Sequence, residues 1–194
     1  MTRTSPQARE RIVAGAADMI SRRGLSATSI REMAKHANAP LGSTYHYFPE
    51  GKQQLATEAV RYAGEMTARI LRTELQAGPV AGLKAYLGLW RKIVVNTDFH
   101  AGCPVLAVSI EEPPTDEIPA ALAAAAEVFD TWENLLAASL REHGAEPDQA
   151  AQLATLVVAA VEGTVAMCRA KRSTQPLDHT SEQLETLISR TITS

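Results

Sequence analysis

Side chains that can bind a polyanion are concentrated between Thr28 and Lys52. Five consecutive residues carry hydroxyl, phenol or imidazole groups, namely Ser43, Thr44, Tyr45, His46 and Tyr47. Such groups donate hydrogen bonds to phosphate oxygens and to base edges. Gly42 precedes them and has no side chain, so a backbone could approach a groove closely there. This set suits contacts with nucleic acid.

The same stretch predicts two short helices that would position these side chains. Ser29 and Glu32 have the spacing of a capping box, which predicts that a helix begins there. An apolar stripe at helical spacing follows, formed by Ile30, Met33, Ala34 and Ala37. Asn38 favours a turn, and Pro40 suits the start of the next helix. The pattern is typical of a helix-turn-helix, with Phe48 as the core anchor of its second helix.

Charge is unevenly distributed along the chain. Residues 1–55 contain eight Lys and Arg and four Asp and Glu, a net charge of +4. The remaining residues contain eleven basic and eighteen acidic residues, a net charge of −7. A basic first quarter on an acidic body is typical of a protein that docks one end on a polyanion.

The whole chain is expected to be all-α, with about nine helices. Its 194 residues can bury a sizeable core, and a small head on a larger body fits that length. We expect a helix-turn-helix domain at residues 1–52 and a helical ligand-binding and dimerisation domain at residues 53–194. Predicted helices of the body run from Lys52 to about residue 76 and then, in order, to about residues 96, 111, 144, 171 and 192.

Two of the predicted body helices have a definite apolar line. In the helix after Lys52 the line is expected to run through Leu55, Ala56, Ala59, Val60, Ala63, Met66 and Ile70. In the helix that follows Pro119 it is expected to run through Leu122, Phe129, Trp132, Leu136 and Leu140. These lines predict which faces are covered.

From about residue 8 to residue 60 the chain resembles the TetR family of one-component transcription regulators. The resemblance rests on the run from Thr28 to Ala34, a short turn, the run from Gly42 to Phe48, and Lys52. A further resemblance is to the LmrA/YxaF-like branch, which includes regulators that respond to lincomycin-type antibiotics or plant flavonoids. It rests on Ala39–Pro40, Phe48–Pro49 with Gly51–Lys52, Gly102–Val105 and Val161–Gly163. The resemblance implies a three-helix DNA-binding head and a body that binds a small molecule.

The resemblance also implies which side chains contact double-stranded DNA. Those expected near base edges are Leu41, Gly42, Ser43 and Tyr45. Those expected near phosphates are Thr28, Arg31, Tyr47 and Lys52. Ser29, Pro40, Thr44 and His46 complete the predicted set, and His46 is open between packing, a phosphate contact and a base contact.

Two positions depart from the branch. Position 41, often basic there, is Leu41, which either removes a phosphate or guanine contact or supplies an apolar contact to a thymine methyl. Position 50, often glycine, is Glu50, which adds negative charge near the expected phosphate path. Both affect the operator sequence rather than the mode of binding.

A homodimer is predicted from the helix between Pro147 and Lys171. Its segment Leu153–Cys168 is apolar nearly all round, so both sides must be covered. Together with the C-terminal helix it would form a four-helix bundle across a two-fold axis. The predicted interface residues are Val157, Val158, Glu162, Gly163, Leu184, Leu187 and Ile188. Glu162 is expected to be paired across this interface or to lie at its rim, and a ligand contact is the alternative.

The resemblance further implies a small hydrophobic or aromatic effector. The body supplies an apolar, polarisable set that suits such a molecule. Its members are Met66, Leu87, Trp90, Ile93, Cys103, Phe129, Trp132, Leu136, Val161 and Val165. Core packing is the alternative role for each of them.

Other classes of protein are disfavoured. The chain has no glycine-rich phosphate loop, no H-E-x-x-H and no C-x-x-C, so we expect no enzyme, cofactor or metal. It has no hydrophobic signal region and no run of 18 apolar residues, which predicts a cytoplasmic protein without a membrane span. Two alternatives stay open: a thiol-based redox sensor that uses Cys103, and a helical protein-interaction module.

Overall fold

The computed structural model describes residues 6–112 and 119–192. Within these ranges the chain forms nine α-helices and no β-strand, which confirms the predicted all-α class. The helices are α1 Pro6–Arg23, α2 Ile30–His36, α3 Leu41–Tyr47, α4 Lys52–Glu74, α5 Pro79–Asn96, α6 Pro104–Ser109, α7 Ala120–Glu142, α8 Pro147–Lys171 and α9 Gln175–Ile192. A 3₁₀ turn, Leu75–Ala77, joins α4 to α5.

Local signals set the ends of the first helices as expected. The side chain of Ser29 accepts from the backbone N–H of Glu32 at 3.2 Å, and the Glu32 carboxylate accepts from the N–H of Ser29 at 2.9 Å. This reciprocal capping box satisfies two amides that have no partner within α2. Asn38 adopts a left-handed φ of 49° in the turn, and α3 begins directly after Pro40.

The chain divides into two compact units. The first contains the described residues up to Glu65 together with those from Cys103 to Val128, and the second contains the other described residues. The predicted boundary at residues 52 and 53 differs from this division, because α6 packs against α1 and therefore belongs with the helix-turn-helix. In the first unit Ile12, Ile20, Met33 and Phe48 are almost completely buried.

The second unit is built on contacts among α5, α8 and α9. Its largest fully buried side chains include Tyr86, Trp132 and Leu136. The ring of Trp132 meets the rings of Tyr86 and Phe129 edge to face, at centroid distances of 6.0 and 5.7 Å. Aromatic rings favour this arrangement because the positive ring edge faces the negative ring face.

The buried face of α4 departs from the predicted line beyond Val60. Ala63 and Ile70 are only half-buried and Met66 is exposed, whereas Ala68 and Leu71 are buried. Gly64 is buried close to Val128, and it lies on the same face of α4 as Ala68 and Leu71. On α7 the prediction was correct for Trp132, Leu136 and Leu140, while Leu122 and Phe129 are half-buried.

Helix α8 is long and apolar enough to cross a membrane by length and composition alone. Half of its most apolar 18-residue window is buried inside the protein, at a mean hydropathy of 1.6. Core helices of soluble proteins share these properties, so this helix is weak evidence for a membrane span. Its other face, with Leu156 and Met167 about half exposed, lies on the surface of the single chain.

Two helix glycines give a matched test of the packing. A Cβ on Gly64 of α4 would lie 2.6 Å from Cγ1 of Val128, whereas a Cβ on Gly88 of α5 meets no atom within 4 Å. We expect Gly64→Ala to lower the free energy of unfolding by about 1–3 kcal/mol through overpacking. Gly88→Ala should raise it by about 0.5–1 kcal/mol, because alanine is the better helix former.

Urea denaturation measures both glycine variants. Equal changes in the two free energies of unfolding would contradict the close packing of Gly64 against Val128.

Candidate nucleic-acid interface

The exposed face of α3 carries much of the predicted DNA-binding set. Tyr45 is 49% exposed, and Pro40, Gly42 and His46 are exposed as well. A Cβ at Gly42 would have open space around it, so this part of the helix is accessible to a large partner. The half-buried members are Leu41, Ser43 and Tyr47.

Thr28 and Thr44 were in the predicted set but are buried. The hydroxyl of Thr28 donates to the carbonyl of Leu25 at 2.8 Å, and the hydroxyl of Thr44 donates to the carbonyl of Pro40 at 3.1 Å. Both hydroxyl groups are therefore engaged by the backbone inside the head. Their placement favours a structural role, for Thr28 in the loop that precedes α2 and for Thr44 in the first turn of α3.

Several basic residues of the head bind other parts of the head. Arg9 of α1 pairs with Glu58 of α4, with an Nη2–Oε1 distance of 2.6 Å, and its guanidinium lies 5.1 Å from the centroid of the Phe48 ring. Nε of Arg11 donates to the carbonyl of Ala37 at the end of α2. These contacts attach α1 to the remaining helices of the head.

Asp18 joins α1 to α2. Its Oδ2 lies 2.8 Å from Nε of Arg22 and 2.7 Å from Nε2 of His36. Burial opposes ionisation of this carboxyl, but the hydrogen bonds and charges of Arg22 and His36 outweigh it, so the pKa of Asp18 lies below its ordinary value of 3.8. Asp18 is therefore charged at neutral pH and holds α2 against α1.

Basic side chains also lie on the outside of the helix-turn-helix. Arg31 is exposed on α2, and Lys52 is half-buried at the first residue of α4. Lys35 was absent from the predicted DNA-binding set; it is exposed four residues after Arg31 and so lies on the same face of α2. That spacing was the signal that could have identified it. These three residues place positive charges on the outside of the head.

Most of the predicted effector-binding side chains lie inside the second unit. Leu87, Trp90, Trp132, Leu136, Val161 and Val165 are buried there. Ile93 and Phe129 are half-buried, and Met66 is 46% exposed. Cys103 belongs to the first unit, where its Sγ accepts from the N–H of Leu106 at 3.5 Å and caps α6.

The second unit also holds buried polar atoms. Glu162 is 3% exposed, and its Oε1 lies 3.4 Å from the hydroxyl of Tyr86. The indole N–H of Trp90 is buried, and no described residue accepts a hydrogen bond from it. Both cysteines are buried thiols, and burial raises the pKa of Cys168. The described ranges contain no group of three metal-ligating side chains.

The residues predicted at a dimer interface separate into two sets. Val157, Val158, Glu162, Leu184 and Ile188 are already buried within one chain. Gly163 and Leu187 are exposed, and a Cβ at Gly163 would meet nothing within 4 Å. Of the predicted residues on α8, only Gly163 therefore lies on the helix face that the single chain leaves exposed.

Two short helices around a left-handed turn, with Tyr45 exposed on the second and Arg31 and Lys35 exposed on the first, have the arrangement of a helix-turn-helix DNA-binding protein. Comparison with known proteins agrees. Residues 12–59 match the family described as bacterial regulatory proteins of the tetR family. Residues 79–183 match the C-terminal domain described as transcriptional regulator LmrA/YxaF-like.

Similar proteins include two HTH-type transcriptional regulators that their names call uncharacterized. Rv0196 of Mycobacterium tuberculosis is 42% identical over 183 residues, which cover 93% of each chain. YxaF of Bacillus subtilis is 30% identical over 182 residues, covering 93% of this chain and 94% of YxaF. The crystal structure of the regulatory protein TetR from Rhodobacter sphaeroides shares the fold, with a TM-score of 0.80, 22% identity, and coverage of 93% of this chain and 98% of that one.

The chain belongs to the TetR family of bacterial transcription regulators, in its LmrA/YxaF-like branch. It is a DNA-binding transcriptional regulator and not an enzyme. This membership confirms the resemblance found in the sequence. The branch is shown by the match of the C-terminal domain and by the similarity to YxaF.

The Asp18 cluster yields a pH-dependent prediction. Because the pKa of Asp18 is lowered by folding, its contribution is complete above its ordinary value of 3.8 and is lost as pH falls through the lower folded value. We expect Asp18→Asn to be less stable than the parent at pH 7 by up to about 1 kcal/mol, since the cluster is partly exposed. The difference should shrink below pH 3.8.

Chemical denaturation at a series of pH values measures this difference. The control is Asp130→Asn, which removes a solvent-exposed carboxylate of α7. A difference between parent and Asp18→Asn that stays constant down to pH 2 would refute the assignment.

Proposed function

We propose that this regulator is a cytoplasmic homodimeric repressor, released from a palindromic operator when a small hydrophobic or aromatic molecule binds its second unit. The observation that carries the DNA-binding part is the exposed face of α3, together with the basic residues Arg31 on α2 and Lys52 at the start of α4. Membership of the TetR family supports the same assignment.

The contacts with the operator are assigned to exposed and half-buried side chains of α2, α3 and the first residue of α4. Tyr45, Ser43, Leu41 and Gly42 lie on α3 and read base edges. Arg31, Tyr47 and Lys52 bind phosphates, and Lys35 joins them. Phosphate contacts fix the register of the protein, while base contacts select the sequence. Ser29, Pro40, Thr28 and Thr44 position these residues through the cap, the turn and the interior of the head.

A second copy of this chain covers the exposed face of α8. Leu156 is 47% exposed, Met167 48% and, on α9, Leu187 40%, while Ala159 and Gly163 are small exposed positions on the same side of α8. Large apolar groups beside small ones allow two helices to approach closely. Burying this face against itself forms a bundle with two-fold symmetry. Two heads then read half-sites about 34–36 Å apart, or a multiple of that distance.

The effector binds among the aromatic side chains of the second unit. The indole N–H of Trp90 is buried, and no described residue accepts a hydrogen bond from it. Trp132 and Phe129 contribute aromatic rings. A flat molecule that carries a hydrogen-bond acceptor matches this set, because a buried donor without an acceptor is costly. Glu162 and the hydroxyl of Tyr86 provide further polarity nearby in the same unit.

Release from DNA is a coupling between the two binding sites. The chain crosses between its two units within α4 and within α7, so movement of these helices carries a change in one unit to the other. An effector that tilts α4 alters the spacing of the two heads and weakens operator binding. DNA must equally weaken effector binding, since the coupling free energy is shared. An effector that binds tightly and leaves operator affinity unchanged would contradict this mechanism.

The redox alternative uses Cys103 in place of an effector. Cys103 is 4% exposed and its sulfur caps α6, which favours a structural role for the thiol. Under that alternative, oxidant alone releases the DNA and Cys103→Ser abolishes the response. The protein-interaction alternative predicts no binding of any duplex at low salt, where the basic head should at least bind non-specifically.

Two substitutions separate base contacts from phosphate contacts. Tyr45→Ala should weaken binding of the selected operator by about ten-fold or more and relax its sequence preference. Lys52→Gln should weaken specific and scrambled duplexes alike and reduce the slope of log affinity against log salt by about one per protomer. The control is Lys84→Gln, which removes a lysine that pairs with Glu185 at 3.3 Å, far from the head in sequence.

Fluorescence anisotropy with a duplex selected from a randomised library measures these affinities across a salt series. No enriched duplex, and no binding of any duplex at low salt, would refute DNA recognition. The same complex serves to screen aromatic compounds for release.

The dimer is tested on α8. Met167→Glu places a charge in the proposed apolar contact, and we expect the variant to sediment as a monomer at concentrations where the parent is a dimer. Val95→Glu is the matched control, because Val95 is 50% exposed on α5 and lies outside the proposed interface. Analytical ultracentrifugation gives the masses. A Met167→Glu variant that is as dimeric as Val95→Glu would show that another surface forms the dimer.

A further inference from the structure

The carboxylate of Glu111 binds the loop that joins α1 to α2. Glu111 directly follows Ile110, the C-cap of α6. Its Oε1 accepts from the backbone N–H of Leu25 at 2.5 Å. Its Oε2 accepts from the backbone N–H of Ser26 at 2.8 Å and from the hydroxyl of Ser26 at 2.5 Å. Both oxygens of one side chain are thus used on a loop more than 80 residues away in sequence.

The loop is shaped to receive this carboxylate. Gly24 has a φ of 79°, a left-handed conformation that favours glycine, and a Cβ at Gly24 would collide with Oε1 of Glu111. Hydrogen bonds to an ionised acceptor are shorter and stronger than neutral ones. Two of the three donors are backbone amides, so the side chain of Glu111 is the part of the contact that a substitution can change.

The loop leads directly into the DNA-binding helices. Leu25 is buried, and its carbonyl accepts from both the N–H and the hydroxyl of Thr28. Thr28 is followed by Ser29, whose capping box begins α2. A displacement of Leu25 and Ser26 therefore moves the first residue of α2, and α3 follows because α2 and α3 pack on each other. Glu111 acts on α3 through this chain of contacts.

We propose that Glu111 is a positioning residue for operator recognition, which holds the helix-turn-helix in its binding orientation against the end of α6. The inference rests on the proposed reading of operator DNA by α3. Electrostatics alone predicts the opposite effect, since removing a negative charge from this protein strengthens binding to any duplex. Loss of position weakens the operator complex and leaves non-specific binding intact.

The variant Glu111→Gln tests whether removing this carboxylate weakens or strengthens binding of the operator. Glutamine keeps the size of the side chain but replaces one acceptor oxygen by an NH₂ group, which faces a donor of the loop. We expect affinity for the selected duplex to fall about ten-fold or more. Affinity for a scrambled duplex of the same composition should stay equal or rise. A variant that merely unfolds in part loses the same fraction of both activities, so the ratio of the two affinities is the deciding quantity.

The matched control is Glu112→Gln. It makes the same change of charge one residue further on, at an exposed side chain, and should bind both duplexes at least as tightly as the parent. If Glu111→Gln retains the same ratio of affinities as Glu112→Gln, the proposal is overturned. If Glu111→Gln does not fold, Ser26→Ala removes one of the three hydrogen bonds, and its ratio of affinities must fall by a smaller factor. An unchanged ratio in Ser26→Ala overturns the proposal as well.

Amide hydrogen exchange separates this inference from the proposed function. The amides of Leu25 and Ser26 should exchange faster in Glu111→Gln than in Glu112→Gln, whether or not DNA is present. Equal exchange rates would refute the contact itself. A parent protein that selects no duplex would refute operator recognition, and with it the role of Glu111, even if the exchange rates differ.

Discussion

Two seven-residue helices carry the DNA-binding face, and helices of that length are not stable alone in water. Their position depends on the burial of Met33, Ala34 and Phe48 within the first unit, all of which are at most 1% exposed. Because α1 packs against α2, α3 and α6, it is the helix on which the whole head is assembled. The orientation of α3 is therefore a property of the packed unit.

The basic residues of the head divide into two groups with different tasks. Arg9, Arg11 and Arg22 bind a carboxylate or a carbonyl group of the head itself. Arg31 and Lys35 lie exposed on α2. Net charge counts both groups equally, although only exposed charge attracts DNA at close range. The positive first quarter of the sequence thus contains both arginines that bind groups of the head and basic side chains that face solvent.

Helix α8 shows the limits of composition as a guide to burial. It is apolar on both sides, so the sequence predicted that two faces need cover, but its apolar residues gave no contrast that separates the face buried within the chain from the outer face. Packing with α5 and α9 buries Val157, Val161 and Val165, and leaves Leu156 and Met167 on the surface. The predicted interface set therefore mixed core residues such as Leu184 with exposed ones such as Leu187.

Local chemistry determined the elements of this protein. The Ser29–Glu32 capping box, the turn at Asn38 and the start of α8 at Pro147 are contained in a few neighbouring residues, and each was correctly predicted. Tertiary structure alone decided what joins distant segments: the burial of Thr28 and Thr44, the phase of α4 beyond Val60, and the contact of Glu111 with Leu25 and Ser26. These depend on which surfaces meet, and no periodicity in one segment encodes its partner.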